Sequence, residues 1–166
     1  MKRLSILRHA KSDWDDRRLS DHDRPLNKRG LRDAPMLGLL MQQESIVPNR
    51  IIASSAKRAM QTAELVGGKI GFPADRLHTE PELYLASTEK LLNVAARCDN
   101  KIEHLMLVAH NPGMTYLVNE ISDVTLDNLP TCGLFCIELD IENWQDVVTA
   151  HGSCIWYHYP KLNRQD

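Results

Sequence analysis

Paired cysteines, long apolar runs and a strong charge of one sign are all missing from this sequence, and each absence excludes a class of protein. The four cysteines form no Cys-x-x-Cys pair, which argues against a structural zinc site and against a disulfide scaffold. The net charge of −2 argues against a protein whose main task is to coat nucleic acid or an anionic membrane. We therefore expect free buried thiols, no metal site, and neither a nucleic-acid nor a membrane partner.

The apolar runs that are present are short. Near the N-terminus, the run at residues 4–7 is ended by Arg8, which leaves it too short for the apolar region of a signal peptide. No stretch approaches the ~18 apolar residues of a membrane-spanning helix. Together with the cysteine usage, this pattern predicts a protein of the reducing cytoplasm.

Hydrophobic patterning over the 166 residues predicts a single domain, residues 1–166, in which short strands alternate with helices. Apolar and β-branched runs predict strands at residues 2–7, 50–53, 77–79, 104–109, 134–139 and 153–159, with a weaker one at Val147-Val148. Helical spacing of apolar residues predicts helices after Asn27, over residues 56–66, after Ser87 and after Gly113. This order is typical of an α/β fold with a mostly parallel central sheet.

Local signals give three further expectations. The Ser54-Ser55 pair can cap the second helix, and the Gly67-Gly68 pair is expected to end it. Pro35 lies inside the first helical pattern, where it should kink the helix or mark the start of its regular part. Residues 13–23 are charged without an apolar stripe and predict a surface loop, whose aspartates are expected to form a solvated rim.

Polar clusters follow three of the predicted strands, each at the strand's carboxyl end. They are Arg8-His9, residues 54–58 and His110-Asn111. In open α/β sheets ligands bind at this edge, so the clusters are expected to meet in one pocket. Arginines, histidines and helix N-termini together provide the donors and positive charge that a phosphate or sulfate group needs.

The four central residues of these clusters suit a phosphoryl-transfer site. Arg8 and Arg58 offer forked donors that match phosphate oxygens two at a time. His9 can attack phosphorus through one ring nitrogen if a backbone carbonyl holds the other nitrogen as its protonated partner. A protonated His110 would donate to a bound dianion. Further donors for substrate stand beside these residues: Lys11, Ser12 and Asn111.

Four motifs in order carry a family resemblance that covers nearly the whole chain. They are Arg8-His9-Ala10-Lys11-Ser12, Arg24-Pro25-Leu26 with Arg29-Gly30, residues 54–63, and His110-Asn111-Pro112-Gly113. With them the chain resembles the histidine phosphatase superfamily, and more narrowly its small SixA-type phosphohistidine phosphatase branch. The resemblance implies a single-domain, three-layer α/β/α fold of the phosphoglycerate mutase-like type.

The resemblance also implies roles for individual residues. His9 would be the nucleophile and become phosphorylated, while Arg8, Arg58 and His110 would bind the phosphoryl group without metal or cofactor. Glu82 is the nearest candidate for the carboxylic acid that protonates the leaving group in many relatives. Phosphohistidine needs less help from an acid than an ester does, because its leaving group is imidazole.

Two departures from the family pattern bear on substrate. Ala10 stands where many members of the superfamily have Gly, a sterically small change that should not abolish activity. Only 51 residues separate Arg58 from His110, too few for the long substrate-covering insertion of many relatives, which implies an open site suited to a phosphorylated protein.

The leading prediction is therefore a metal-independent phosphatase for phosphohistidine in proteins. Two alternatives stay open on the sequence: a phosphatase for a small phosphomonoester, and a non-catalytic module that binds a phosphorylated ligand.

Overall fold

A six-stranded sheet forms the centre of the computed structural model, which describes residues 1–163. The strands are β1 (Lys2–Arg8), β2 (Arg50–Ser54), β3 (Leu77–Glu80), β4 (His104–Ala109), β5 (Leu134–Leu139) and β6 (Ser153–His158). The helices are α1 (Lys28–Gln43), α2 (Lys57–Ile70), α3 (Thr88–Ala96) and α4 (Gly113–Ile121). Short 3-10 helices include Asp21–Asp23 and Trp144–Thr149.

The order of the strands across the sheet is β3-β2-β4-β1-β5-β6. The first four are parallel, β5 runs antiparallel to β1, and β6 runs antiparallel to β5. This confirms the α/β class with a mostly parallel sheet. In the register of β1 and β4, Arg8 lies opposite Ala109, so the residues that follow them, His9 and His110, emerge side by side.

Apolar residues pack on both faces of the sheet, which gives the three layers. Leu4 and Ile6 belong to the core beneath α3 and α4, whereas Leu7 belongs to the core beneath α1 and α2. The alternation follows from the period of two along a strand. Every residue of β4 is buried, as the continuous apolar run predicts for a strand covered on both faces.

The second helix differs from its expected bounds at both ends. It begins at Lys57, and its cap is Ala56, which has no polar side chain. The Ser54 hydroxyl accepts from the Ala56 amide at 3.3 Å and lies 2.7 Å from His110 Nε2, and the Ser55 hydroxyl lies 2.9 Å from His22 Nε2. It also continues past Gly67 to the buried Ile70 and ends at Gly71, whose φ of 73° closes the helix. A glycine inside a helix costs about 1 kcal/mol, which the buried apolar face offsets.

The expected strand at Val147-Val148 is wrong, and one of the two alternatives for Pro35 is excluded. Val147 and Val148 lie in a 3-10 helix rather than a strand, because Trp144 and Val147 are buried three residues apart on one side of it. Pro35 lies within α1, which begins at Lys28 after its cap Asn27, so it does not mark the start of the helix.

The cysteines confirm the expectation of free thiols, but the expected burial holds for two of the four, since Cys98 and Cys154 are half-buried. All four are free thiols, and Cys132 and Cys136 are buried. Burial raises the pKa of both thiols, which keeps them protonated and unreactive. Within residues 1–163, none of the helices has the length and apolar character needed to cross a membrane.

A buried histidine lies at the end of the sheet opposite the polar clusters. His104 is 6% exposed, and its Nε2 lies 2.6 Å from the Ser5 hydroxyl. Burial, aided by the charge of Arg3, lowers the pKa of His104 from 6.5 to about 4. The folded protein therefore holds this ring neutral at pH values where the unfolded chain protonates it.

We expect this histidine to weaken the fold in acid. Between pH 6.5 and 4 the unfolded state binds a proton that the folded state does not, so the free energy of unfolding falls with falling pH, by roughly 3 kcal/mol from this residue. His104→Gln keeps a polar partner for Ser5. In this variant the free energy of unfolding should change less with pH over this range. Urea unfolding of wild type and the variant from pH 7 to 4 measures the free energy of unfolding at each pH. Equal pH dependence in the two proteins would contradict the prediction.

Candidate active site

His9 and His110 stand next to each other where β1 and β4 end. Their ring centroids are 5.1 Å apart, and both side chains are buried. The His9 amide donates to the Ala109 carbonyl at 3.1 Å, which continues the strand pairing by one residue. The parallel register thus brings together the two histidines that the sequence analysis placed at one edge of the sheet.

The ring of His9 is oriented by the backbone. Its Nδ1 lies 2.7 Å from the Ala10 carbonyl oxygen, and because a carbonyl only accepts, Nδ1 carries the hydrogen. Nε2 therefore keeps its lone pair, toward which the Arg58 Nε donates at 3.3 Å. Burial lowers the pKa of His9 to about 3; the bond to Ala10 opposes this, and the charge of Arg58 adds to it. At neutral pH the His9 ring is therefore uncharged and its Nε2 carries no proton, the form that a nucleophilic role requires.

His110 is held from the neighbouring strand. Its Nε2 lies 2.7 Å from the Ser54 hydroxyl at the end of β2. Burial and the neighbouring His9 and Arg58 lower the pKa of His110 to about 3, so the ring is neutral near pH 7. A phosphoryl dianion would raise this pKa, because a negative charge favours the imidazolium form. The protonated His110 of the sequence-based prediction therefore depends on the bound anion.

Two buried side-chain nitrogens in this group have no hydrogen-bond partner among the described residues. They are the Arg8 Nε and the His110 Nδ1. Leaving a buried polar group unpaired costs about 1–3 kcal/mol, and a ligand or an ordered water that supplies the partner removes this cost. Arg8 is fixed by its Nη1, which donates to the Leu129 carbonyl at 3.0 Å. The arrangement fits an anion with several oxygens.

Arg58, from the first turn of α2, is buried and bound to an aspartate that the sequence analysis assigned to the rim. Its Nη1 donates to the Asp21 carbonyl at 2.6 Å and its Nη2 to the Asp21 carboxylate at 3.0 Å. The solvated-rim expectation is therefore wrong for Asp21, although Asp15 and Asp23 are exposed. The sequence offers one signal that Asp21 is bound by the protein. Arg24 follows it by three residues, just before Pro25, and pairs with it.

Tyr84 is a second residue that sequence reasoning missed. Its hydroxyl donates to the Asp21 carboxylate, and its ring packs edge-on against His110 with centroids 5.5 Å apart. Burial, with the bond to Asp21, raises the pKa of Tyr84, so the phenol stays protonated. Tyr84 lies two residues from Glu82, the sequence-based candidate acid.

Glu82 itself forms an ion pair at the surface. Its carboxylate accepts two bonds from Arg97, both of 3.2 Å, and about half of its side chain is exposed. Among the described residues, no hydrogen bond or ion pair joins Glu82 to His9, His110 or Arg58.

The three additional substrate-binding candidates differ in their surroundings. Lys11 is exposed beside the cluster, and its backbone carbonyl would lie 2.2 Å from a Cβ at Gly30, so glycine is needed there. The Ser12 hydroxyl is buried and accepts a bond of 2.8 Å from Arg24. Ser12 therefore secures the loop that carries Asp21.

Asn111 is fully engaged by the protein. Its amide nitrogen donates to Asn128 and to the Leu129 carbonyl, and its amide oxygen accepts from the backbone and hydroxyl of Thr115. The Leu129 carbonyl also accepts from Arg8. Asn111 thus holds the carbonyl that orients Arg8.

Comparison with known proteins finds relatives over most of the chain. The model of the histidine phosphatase superfamily (branch 1) matches residues 4–91, which include three of the four central side chains. An uncharacterized chloroplastic protein of Arabidopsis thaliana is 29% identical over 163 residues, covering 93% of this chain and 74% of that protein.

Solved structures extend the similarity to the whole fold. A SixA from Agrobacterium tumefaciens, named as a candidate phosphohistidine phosphatase, has a TM-score of 0.81 and 27% identity, covering 96% of this chain and 98% of that one. A protein histidine phosphatase SixA complexed with tungstate has a TM-score of 0.78 at 23% identity, covering 93% and 95% of the two chains. The latter similarity is one of fold.

Proposed function

The chain belongs to the histidine phosphatase superfamily, and from that premise we propose that it is a metal-independent phosphatase that acts on phosphohistidine in proteins. The observation that carries the proposal is His9: its Nδ1 hydrogen is held by Ala10, its Nε2 lone pair is free of a proton, and Arg58 lies 3.3 Å from that atom. A neutral imidazole beside donors for three phosphoryl oxygens is the arrangement that in-line phosphoryl transfer needs.

In the first step, the Nε2 lone pair of His9 forms a bond to phosphorus while the bond from phosphorus to the substrate nitrogen breaks. The electron pair of the broken bond stays on the leaving imidazole, which departs as a neutral ring when its other nitrogen already carries a proton. Nδ1 of His9 keeps its hydrogen and its bond to Ala10. Arg8, Arg58 and a protonated His110 stabilise the oxygens of the transferred group.

In the second step, water attacks phosphorus and the bond to Nε2 breaks. The electron pair returns to His9, and phosphate leaves with both protons of the water. The ring is then neutral again and ready for the next substrate.

The chemistry of the leaving group favours phosphohistidine over a phosphate ester as the substrate. Asp21 is the carboxylate bound to Arg58, and it is held ionised, because bonds from Tyr84 and Arg24 and the charge of Arg58 outweigh the effect of burial and lower its pKa. A carboxylate without a proton cannot protonate an alkoxide. Imidazole needs no such acid, and the name of the Agrobacterium relative supports the same substrate class.

A side-by-side release assay tests the proposal. The protein is given a phosphohistidine peptide and a panel of small phosphomonoesters, each with and without a chelator. We expect phosphate release from the phosphohistidine peptide to be preferred and to survive chelation. Preference for an ester would move the assignment to a small-molecule phosphatase, and release from no substrate would favour a binding module.

We expect Glu82→Gln to leave hydrolysis of phosphohistidine within about threefold of wild type, whereas loss of a true general acid typically costs about 10²–10⁴-fold. The physical reason is the position of the carboxylate, which binds Arg97 on the surface. Glu89→Gln, on an exposed position of α3, is the matched control. A fall of kcat by two orders of magnitude in Glu82→Gln alone would show that Glu82 is the acid.

A further inference from the structure

We propose that Asp21 is a positioning residue for the phosphoryl transfer described above: it holds the end of the Arg58 side chain so that Arg58 Nε faces the nucleophilic nitrogen of His9. The inference rests on the proposed function for its catalytic part. Its anion-binding part can be measured without turnover.

The contacts of Arg58 divide between its two sides. Both terminal amino groups are bound to Asp21, Nη1 to the carbonyl at 2.6 Å and Nη2 to the carboxylate at 3.0 Å, while Nε donates to His9 Nε2 at 3.3 Å. A guanidinium is planar, with its donors in fixed directions. Fixing the two terminal nitrogens therefore also fixes the direction of the Nε–H bond.

Asp21 is itself held firmly. One carboxylate oxygen accepts from Arg24 Nε at 3.2 Å and Nη2 at 3.0 Å, and the other accepts from the Tyr84 hydroxyl as well as from Arg58. Arg24 is buried, binds the Ser12 hydroxyl, and lies 3.3 Å from the centre of the Trp14 ring. The orientation of Arg58 is thus secured through Asp21, which Arg24 and Tyr84 hold in turn.

A positioning role and a competing role predict opposite effects on anion affinity. If Asp21 orients Arg58, removing it frees a long side chain to adopt other rotamers and weakens anion binding, because ordering that chain again costs free energy. If Asp21 instead competed with the phosphoryl group for Arg58, removing its negative charge would strengthen binding. The geometry favours positioning, since Asp21 occupies the end of the guanidinium and leaves Nε directed at His9.

The test is a double-mutant cycle between Asp21 and Arg58. Asp21→Ala and Asp21→Asn are made in wild type and in Arg58→Ala, and tungstate affinity is measured by calorimetry together with kcat and KM for a phosphohistidine peptide. We expect Asp21→Ala to weaken tungstate binding about tenfold and to lower kcat/KM about 100-fold. In the Arg58→Ala background the same change should alter neither value more than about twofold. Asp21→Asn keeps an oxygen acceptor, so its tungstate affinity and kcat/KM should lie between those of wild type and Asp21→Ala.

Asp23→Asn is the matched control, because Asp23 lies in the same 3-10 helix, is exposed, and has His22 as its ion-pair partner. It should change neither affinity nor kcat/KM. Thermal unfolding of every variant separates a loss of function from a loss of fold, and Asp21→Asn serves if Asp21→Ala unfolds.

Two results would overturn the inference. Tighter tungstate binding by Asp21→Ala would mean that Asp21 competes with the anion, and equal losses with and without Arg58 would mean that Asp21 only supports the fold. If wild type bound tungstate with the expected coupling but hydrolysed nothing, the proposed function would fail while the positioning of Arg58 stood. Absence of tungstate binding in wild type would overturn both.

Discussion

His9→Ala should lower hydrolysis of a phosphohistidine peptide by at least about 10⁴-fold, the order of loss seen when a covalent nucleophile is removed. The variant loses the Nε2 atom that, in the proposed mechanism, bonds to phosphorus, while His110 is bound through its own Nε2 to Ser54. Phosphate release measures the loss of turnover. Brief acid-free quenching with radiolabelled substrate should show a phosphorylated protein in wild type and none in the variant.

His104→Gln is the control for this experiment. It also removes a buried histidine, but one that lies at the opposite end of the sheet and contacts Ser5. It should keep both turnover and the phosphorylated intermediate. Hydrolysis that persisted in His9→Ala within tenfold of wild type would refute the covalent mechanism.

Arg8→Ala should lower kcat/KM by about 10³-fold, as expected when a charged donor to the reacting group is lost from a buried site. The Arg8 Nε is buried without a partner among the described residues, and its Nη1 is fixed by Leu129. Arg8→Lys should recover little, because a single ammonium cannot reproduce the forked geometry that binds a backbone carbonyl and phosphoryl oxygens together. Steady-state kinetics and tungstate affinity measure both effects.

Arg3→Ala is the matched control for Arg8. Arg3 lies on the same strand, but it is partly exposed and paired with Glu138 at 3.5 Å. Its removal should leave kcat/KM unchanged. A loss smaller than tenfold in Arg8→Ala would show that Arg8 does not bind the phosphoryl group.

The strands were the part of this fold that sequence reasoning predicted best. The run at residues 104–109 is apolar in almost every position, and the structure places all of β4 in the interior. The position of His9 beside His110 was also predictable, because polar residues that follow parallel strands share one edge of the sheet. The strand register supplies the exact alignment.

Tertiary contacts explain the two predictions of secondary structure that were wrong. Val147 has β propensity, but the buried Trp144 three residues earlier favours a helical turn there. The Trp144 Nε1 donates a hydrogen bond of 2.7 Å to the Ile102 carbonyl. The Gly67-Gly68 pair resembles a helix end, yet Ile70 extends the buried stripe of α2 by another turn. In both cases packing against a distant part of the chain outweighs the local preference.

The pairing of Asp21 with the nearby Arg24 was open to sequence reasoning, but its bonds to the site were not, because its other two partners are far away in the sequence. Arg58 is 37 residues from it and Tyr84 is 63 residues from it. In the sequence it is one aspartate among several in a charged loop, and charge alone does not distinguish a carboxylate that binds a catalytic arginine from one in solvent. Its role as a positioning residue is therefore visible only in three dimensions.

The central place of β1 has a consequence for how the protein is made. The strand that leads to His9 is synthesised before the other five strands, but its neighbours in the sheet are β4 and β5. The side chains of Ser5 in β1 and His104 in β4, which are in hydrogen-bond contact, are 99 positions apart in the sequence. During translation β1 has no neighbouring strand to pair with until most of the chain has left the ribosome. Such long-range pairing slows folding, so recovery of anion binding after dilution from denaturant should mark the completion of the sheet.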